Sequence, residues 1–117
     1  MHSNLPEEDT GWDLFLGACF NIASTALFLS IMSRLSGYIP GKIVIQATNA
    51  HMYDNHFEAL EEQLSYPLYK LPELCLSDNI KKVSVDEVSG AFLRICPEDI
   101  SLVNYVSGPK IYAEMAE

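Results

Sequence analysis

"LFLGACFNIASTALFLSIM", residues 14–32, carries no charged side chain over nineteen positions, and its reading decides what kind of protein this is. A transmembrane helix needs about 20 predominantly apolar residues, so length alone admits a membrane span. Composition argues against it. Gly17, Asn21, Ser24, Thr25 and Ser30 interrupt the run, no basic cluster precedes it, and the acids Glu7, Glu8, Asp9 and Asp13 stand before it. The segment is therefore expected as a core helix over residues 20–36 of a soluble protein. Asn21 near its start is able to cap unsatisfied amides, and Gly37 is placed to end it. Ile22, Ala23, Ala26, Leu27, Leu29, Ile31 and Leu35 lie nearly all round this helix, which calls for protein on every side.

Outward from the helix, residues 3–13, "SNLPEEDTGWD", read as an exposed acidic loop. On the other side Pro40-Gly41 makes a turn, and "KIVIQAT", residues 42–48, is a β-branched run expected as a buried strand. Asn55 and Glu58 have capping-box spacing, with Phe57, Leu60 and Leu64 on one face of a short helix that Pro67 ends. "LCLS", "KKVSV" and "ISLVNYV", separated by turn residues, read as short strands. The order helix, strand, helix, strands is an α+β arrangement in one domain.

Sixteen acidic against seven basic residues give a formal net charge of −9, which repels a phosphate backbone and excludes nucleic-acid binding by this chain alone. Cys19, Cys75 and Cys96 are odd in number and lack C-x-x-C spacing. Neither a disulfide framework nor a zinc knuckle is indicated, and the thiols are expected as small buried hydrophobes in a reducing cytoplasm.

The densest chemistry lies in "ATNAHMYDNHFEAL", residues 47–60. His51 and His56 are five apart, so they do not stack as the i, i+4 ligands of a helical metal site. No Ser or Cys forms a local motif with His51 that would make it a base for a nucleophile. A ligand-facing loop at a strand end remains, where His and Tyr can hydrogen-bond hydroxyl groups.

Three blocks carry a resemblance. "DLFLGACFNIASTAL" at 13–27, "AHMYDNHFEALEEQL" at 50–64 and "PEDISLVNYVSGPKIYAEMAE" at 97–117 resemble, in order, the C-terminal part of thymidylate synthases and of the related deoxyuridylate hydroxymethylases of bacteriophages. The resemblance implies the C-terminal part of the thymidylate synthase fold over residues 13–117, with a buried central helix on a mixed β-sheet, and residues 1–12 as an acidic insertion. It implies that Asn21 reads uracil, that His51 and Tyr53 hold the deoxyribose 3′-hydroxyl, and that Ser3 lies in the phosphate segment. It also implies that methylenetetrahydrofolate meets Asp13, Leu16, Gly17, Phe20 and Tyr53, with Met115 and Ala116 in a closing C-terminal segment. His56 falls at a position with no catalytic role.

The departures from the family pattern carry information too. The family nucleophile is a cysteine in a Pro-Cys-His setting, and these 117 residues contain no such tripeptide; Arg34 and Arg94 are the only arginines. Cys19 stands where the family has proline, and Glu117 where it has an aliphatic residue. The expectation is a small subunit of a split enzyme whose second polypeptide brings the N-terminal half, with its Pro-Cys-His and phosphate-binding arginines, in a dimer of two-chain protomers. The product is methyl or hydroxymethyl deoxyuridylate, the two departures tilting towards a phage-type hydroxymethylase. A non-catalytic binding subunit is the alternative.

Overall fold

A computed structural model describes residues 12–114, so Ser3, Met115, Ala116 and nearly all of the acidic segment lie outside the described residues. The chain divides into two compact units, and one long helix enters both. This helix, α1 (Ala18–Ser36), begins two residues before the expected start. Asn21 is therefore inside its first turn and not its cap: the Asn21 amide donates to the Gly17 carbonyl at 2.9 Å. Gly37 ends the helix as expected. Its φ of +83° is a left-handed conformation that glycine adopts without cost, and both Gly37 and Tyr38 donate to the Ser33 carbonyl.

In the first unit, β1 (Trp12–Asp13) pairs in parallel with β2 (Ala50–His51). A 3₁₀ turn, Asp54–His56, leads into α2 (Phe57–Ser65), which ends two residues before Pro67. The capping box expected of Asn55 and Glu58 does not form. Asn55 lies inside the 3₁₀ turn, so His56 and not Asn55 precedes α2, and no side chain caps the helix; the Asn55 side-chain N–H donates to the Glu114 carbonyl at 3.1 Å.

The second unit pairs β3 (Glu73–Leu76) with β4 (Ile100–Val103) antiparallel, Leu74 opposite Leu102. Here "LCLS" and "ISLVNYV" form strands as read, whereas "KKVSV" does not: it runs into a 3₁₀ turn at Val85–Glu87 and α3 (Val88–Leu93). Arg94 closes α3. The core gathers Ile31 and Leu35 of α1 with Ile80, with Leu27, Val88, Phe92 and Ile100 packed around them. Arg34 ties this core to the loop after β3, donating to the carbonyls of Ile80 at 2.9 Å and Leu76 at 2.8 Å.

Three further expectations fail for one reason, that burial and pairing need a second surface. Residues 42–48 form no strand among the described residues and are exposed, Val44 at 80%; β-branched propensity forms a strand only where an edge is offered. All three cysteines are exposed. Within α1 only Ala18, Ile31, Ser33 and Leu35 are buried, and Phe20 and Phe28 are 73% and 55% exposed. The helix is long and apolar enough to cross a bilayer by length and composition, and most of its residues are not buried.

Candidate functional site

The first unit brings the ligand-facing residues of the sequence reading onto one short frame. Trp12 donates its backbone N–H to the Asn49 carbonyl and Leu14 donates to the His51 carbonyl, both at 2.8 Å, and Asp13 sits opposite His51 in the ladder. The segment that opens α1 is thereby stitched to the loop bearing His51 and Tyr53.

Asp13 then makes the turn. One of its carboxylate oxygens accepts from the amides of Phe15 at 3.1 Å and Leu16 at 3.4 Å, and its carbonyl accepts from Gly17 at 3.0 Å, the local bonding that lets Asp start a turn ahead of a helix. A Cβ on Gly17 would stand 3.2 Å from the Asp13 carbonyl oxygen and 3.4 Å from Asn21 Oδ1. A side chain there would press on the Asp13 carbonyl, which would have to give by a few tenths of an ångström. Leu16 and Phe20 project from this turn largely exposed, so four predicted folate residues, Asp13, Leu16, Gly17 and Phe20, share one turn.

Asn21 is exposed on the first turn of α1, and its Oδ1 accepts a hydrogen bond from the Trp12 indole Nε1–H at 3.1 Å. On the other strand, His51 Nδ1–H donates to the Asn49 carbonyl at 3.2 Å. A carbonyl only accepts, so the proton lies on Nδ1 and a neutral His51 presents Nε2 as an acceptor, the form that receives a hydroxyl hydrogen. Tyr53 lies edge-on to His51, centroids 5.1 Å apart, and edge-on to His56 at 5.6 Å; Phe15 completes the row at 5.4 Å from His56. Rings at such spacings hold one another in place, fixing where the Tyr53 hydroxyl stands.

His56 is completely buried; its Nε2–H donates to the Glu114 carbonyl at 2.6 Å, and its Nδ1 has no hydrogen-bond partner among the described residues. Asn55 donates to the same carbonyl. Neighbouring side chains thus grip one oxygen 58 and 59 residues along the chain, a pairing that no local pattern announces. An open cavity of about 570 Å³ in the second unit, lined by Lys81, Arg94, Cys96 and Asp99 among others, contains none of the predicted site residues.

Residues 10–117 match the family model for thymidylate synthase. The chain belongs to the thymidylate synthase family. It is 38% identical over 104 residues to the thymidylate synthase of Oenococcus oeni, covering 89% of this chain and 30% of that relative. It is 37% identical over 107 residues to that of Enterobacteria phage T4, covering 89% and 37%. The crystal structure of thymidylate synthase from T4 phage superposes with a TM-score of 0.78 at 36% identity, over 92% of this chain and 38% of that one. The thermostable thymidylate synthase A from Bacillus subtilis gives 0.77 at 24% identity, over 90% and 34%, a likeness of fold. The chain spans about a third of the length of these thymidylate synthases. The apolar helix α1 lies wholly inside the matched residues and is a helix of this fold.

Proposed function

We propose that this chain is the nucleotide- and folate-orienting part of a one-carbon transferase that modifies C5 of deoxyuridylate (dUMP), working with a second polypeptide that carries the catalytic thiol. The observation that supports it best is the joining of Asn21, Asp13, His51 and Tyr53 on one hydrogen-bonded frame by β1 and β2. Asn21 offers uracil an acceptor for N3–H and a donor for O4, a complement that cytosine lacks. His51 Nε2 accepts the hydrogen of the sugar 3′-hydroxyl, and the Tyr53 hydroxyl donates its own hydrogen to the 3′-oxygen. Ser3 lies at the phosphate, and Asp13, Leu16, Gly17, Phe20 and Tyr53 meet methylenetetrahydrofolate, with Met115 and Ala116 closing on it to exclude water.

In this reading the partner's thiolate adds to C6 of the pyrimidine. C5 would become nucleophilic and bond to the folate methylene, Asn21 steadying the charge that develops on O4; loss of the C5 proton and departure of tetrahydrofolate would leave an exocyclic methylene. Hydride from that tetrahydrofolate, which becomes dihydrofolate, would give the methyl product, whereas addition of water would give the hydroxymethyl product and leave tetrahydrofolate, the thiolate departing from C6 in either case. Two features support the second polypeptide. None of the three cysteines stands in a Pro-Cys-His setting, and the uncovered apolar faces of α1, Phe20 and Phe28 included, need further protein. The same absence of a nucleophile supports a second reading, a non-catalytic binding subunit. Cytoplasmic location and a phage origin belong to the proposal.

The experiment is co-expression with candidate polypeptides bearing Pro-Cys-His, purification, and incubation with dUMP and methylenetetrahydrofolate, the product mass separating methyl from hydroxymethyl. A copurifying complex that modifies dUMP is expected. An isolated chain that is a stable monomer and recruits no such polypeptide defeats the split enzyme; a complex that binds dUMP without modifying it establishes the binding subunit.

A further inference from the structure

The only tryptophan of the chain, Trp12, meets with its side chain the residue assigned to read the base. We infer that Trp12 is a specificity-determining positioning residue, whose indole N–H holds the Asn21 amide in the orientation that accepts uracil and rejects cytosine. The inference rests on the proposed role of Asn21.

The reasoning starts from the chemistry of a primary amide. Its oxygen and nitrogen are nearly the same size, so an asparagine can turn over and exchange an acceptor for a donor. Uracil presents N3–H, a donor, beside O4, an acceptor; cytosine presents N3, an acceptor, beside an amino donor. One orientation of Asn21 complements uracil and the flipped one complements cytosine, so asparagine alone distinguishes the two bases only if its orientation is set.

Trp12 sets it. Indole Nε1–H donates and cannot accept, so at 3.1 Å it must face Oδ1 of Asn21. Turning the amide over would point two N–H donors at each other. The backbones of both partners are anchored. The backbone of Trp12 is held in the ladder beside Ala50 and by its bond to Asn49, and Asn21 donates its own backbone N–H to Gly17. One neutral hydrogen bond corresponds to roughly a 2- to 13-fold population ratio, so Trp12 contributes about that factor to selectivity.

Because this is the single tryptophan, feeding benzothienylalanine during expression of this chain replaces one N–H by sulfur with almost no change of shape. A Trp12→Phe variant gives a second, genetically encoded removal of the donor. In the complex with the Pro-Cys-His polypeptide, both are expected to lower the ratio of kcat/KM for dUMP over deoxycytidylate by roughly 2- to 13-fold. On the chain itself, exchange of the indole N–H is expected to accelerate in Asn21→Ala. An unchanged ratio in a complex with normal dUMP turnover overturns the Trp12 proposal and leaves the function standing. An indole N–H indifferent to Asn21→Ala overturns it without any enzyme assay. A wild-type complex that turns over neither nucleotide defeats the underlying function, and the specificity role falls with it.

Discussion

Replacing His56 by phenylalanine should release the C-terminal segment while leaving the fold almost as stable as before. The side chain makes one bond and lacks another: Nε2–H donates to the Glu114 carbonyl at 2.6 Å, and the buried Nδ1 has no partner among the described residues. A neutral hydrogen bond contributes about 0.5–1.5 kcal/mol net, and a buried polar atom left unpaired costs about 1–3 kcal/mol. Phenylalanine removes both terms and preserves the ring contacts to Phe15 and Tyr53. Global stability should therefore change by no more than about 1–2 kcal/mol, in either direction. The tether to Glu114 loses the same 0.5–1.5 kcal/mol, so the detached fraction rises roughly 2- to 13-fold. Asn55 remains on the same carbonyl at 3.1 Å, which places the single variant near the low end and makes the double variant with Asn55→Ala worse than either alone. Urea unfolding measures the first quantity, and the rate at which a carboxypeptidase removes Glu114 measures the second. His56→Gln, which keeps a donor, should restore slow trimming. Loss of more than about 3 kcal/mol with unchanged trimming would show that the ring nitrogens serve the core and not the tether.

Three more outcomes are expected. Asn21→Asp should move preference from dUMP towards deoxycytidylate in competition assays, and unchanged uracil selectivity would remove the base-reading role of Asn21. Ile80→Ala, at a position 1% exposed between Ile31 and Leu35, should cost about 2–5 kcal/mol in urea unfolding of the assembled protein; a loss under about 1 kcal/mol would mean that this cluster is not the core. The Cys96 amide, the Asn79 amide and the Ser77 hydroxyl all donate to Asp99 and hold its carboxyl below the ordinary carboxylate range. The unfolded chain then binds the proton first as pH falls, so the contribution is whole above the ordinary range and disappears as pH drops through the depressed folded value. Unfolding across pH 7 to 3 should show this slope in the wild type and a shallower one in Asp99→Asn.

What could be read from residue order alone was whatever near neighbours decide. The glycine that ends α1, the helix before Pro67 and the strands at "LCLS" and "ISLVNYV" all rest on short-range spacing. Their physical causes lie within a few residues: a left-handed φ at Gly37 and alternation in a strand. What residue order could not decide was pairing across distance. Residues 42–48 have every β-branched credential and no partner edge among the described residues, while two-residue β2, with ordinary propensity, is a strand because Trp12 and Asp13 lie beside it. Asn55 looked like half of a capping box and His56 like a bystander, until a carbonyl nearly sixty residues away met both. Propensity and capping are energies of about 1 kcal/mol or less per residue, and a tertiary surface, or the want of one, outweighs them.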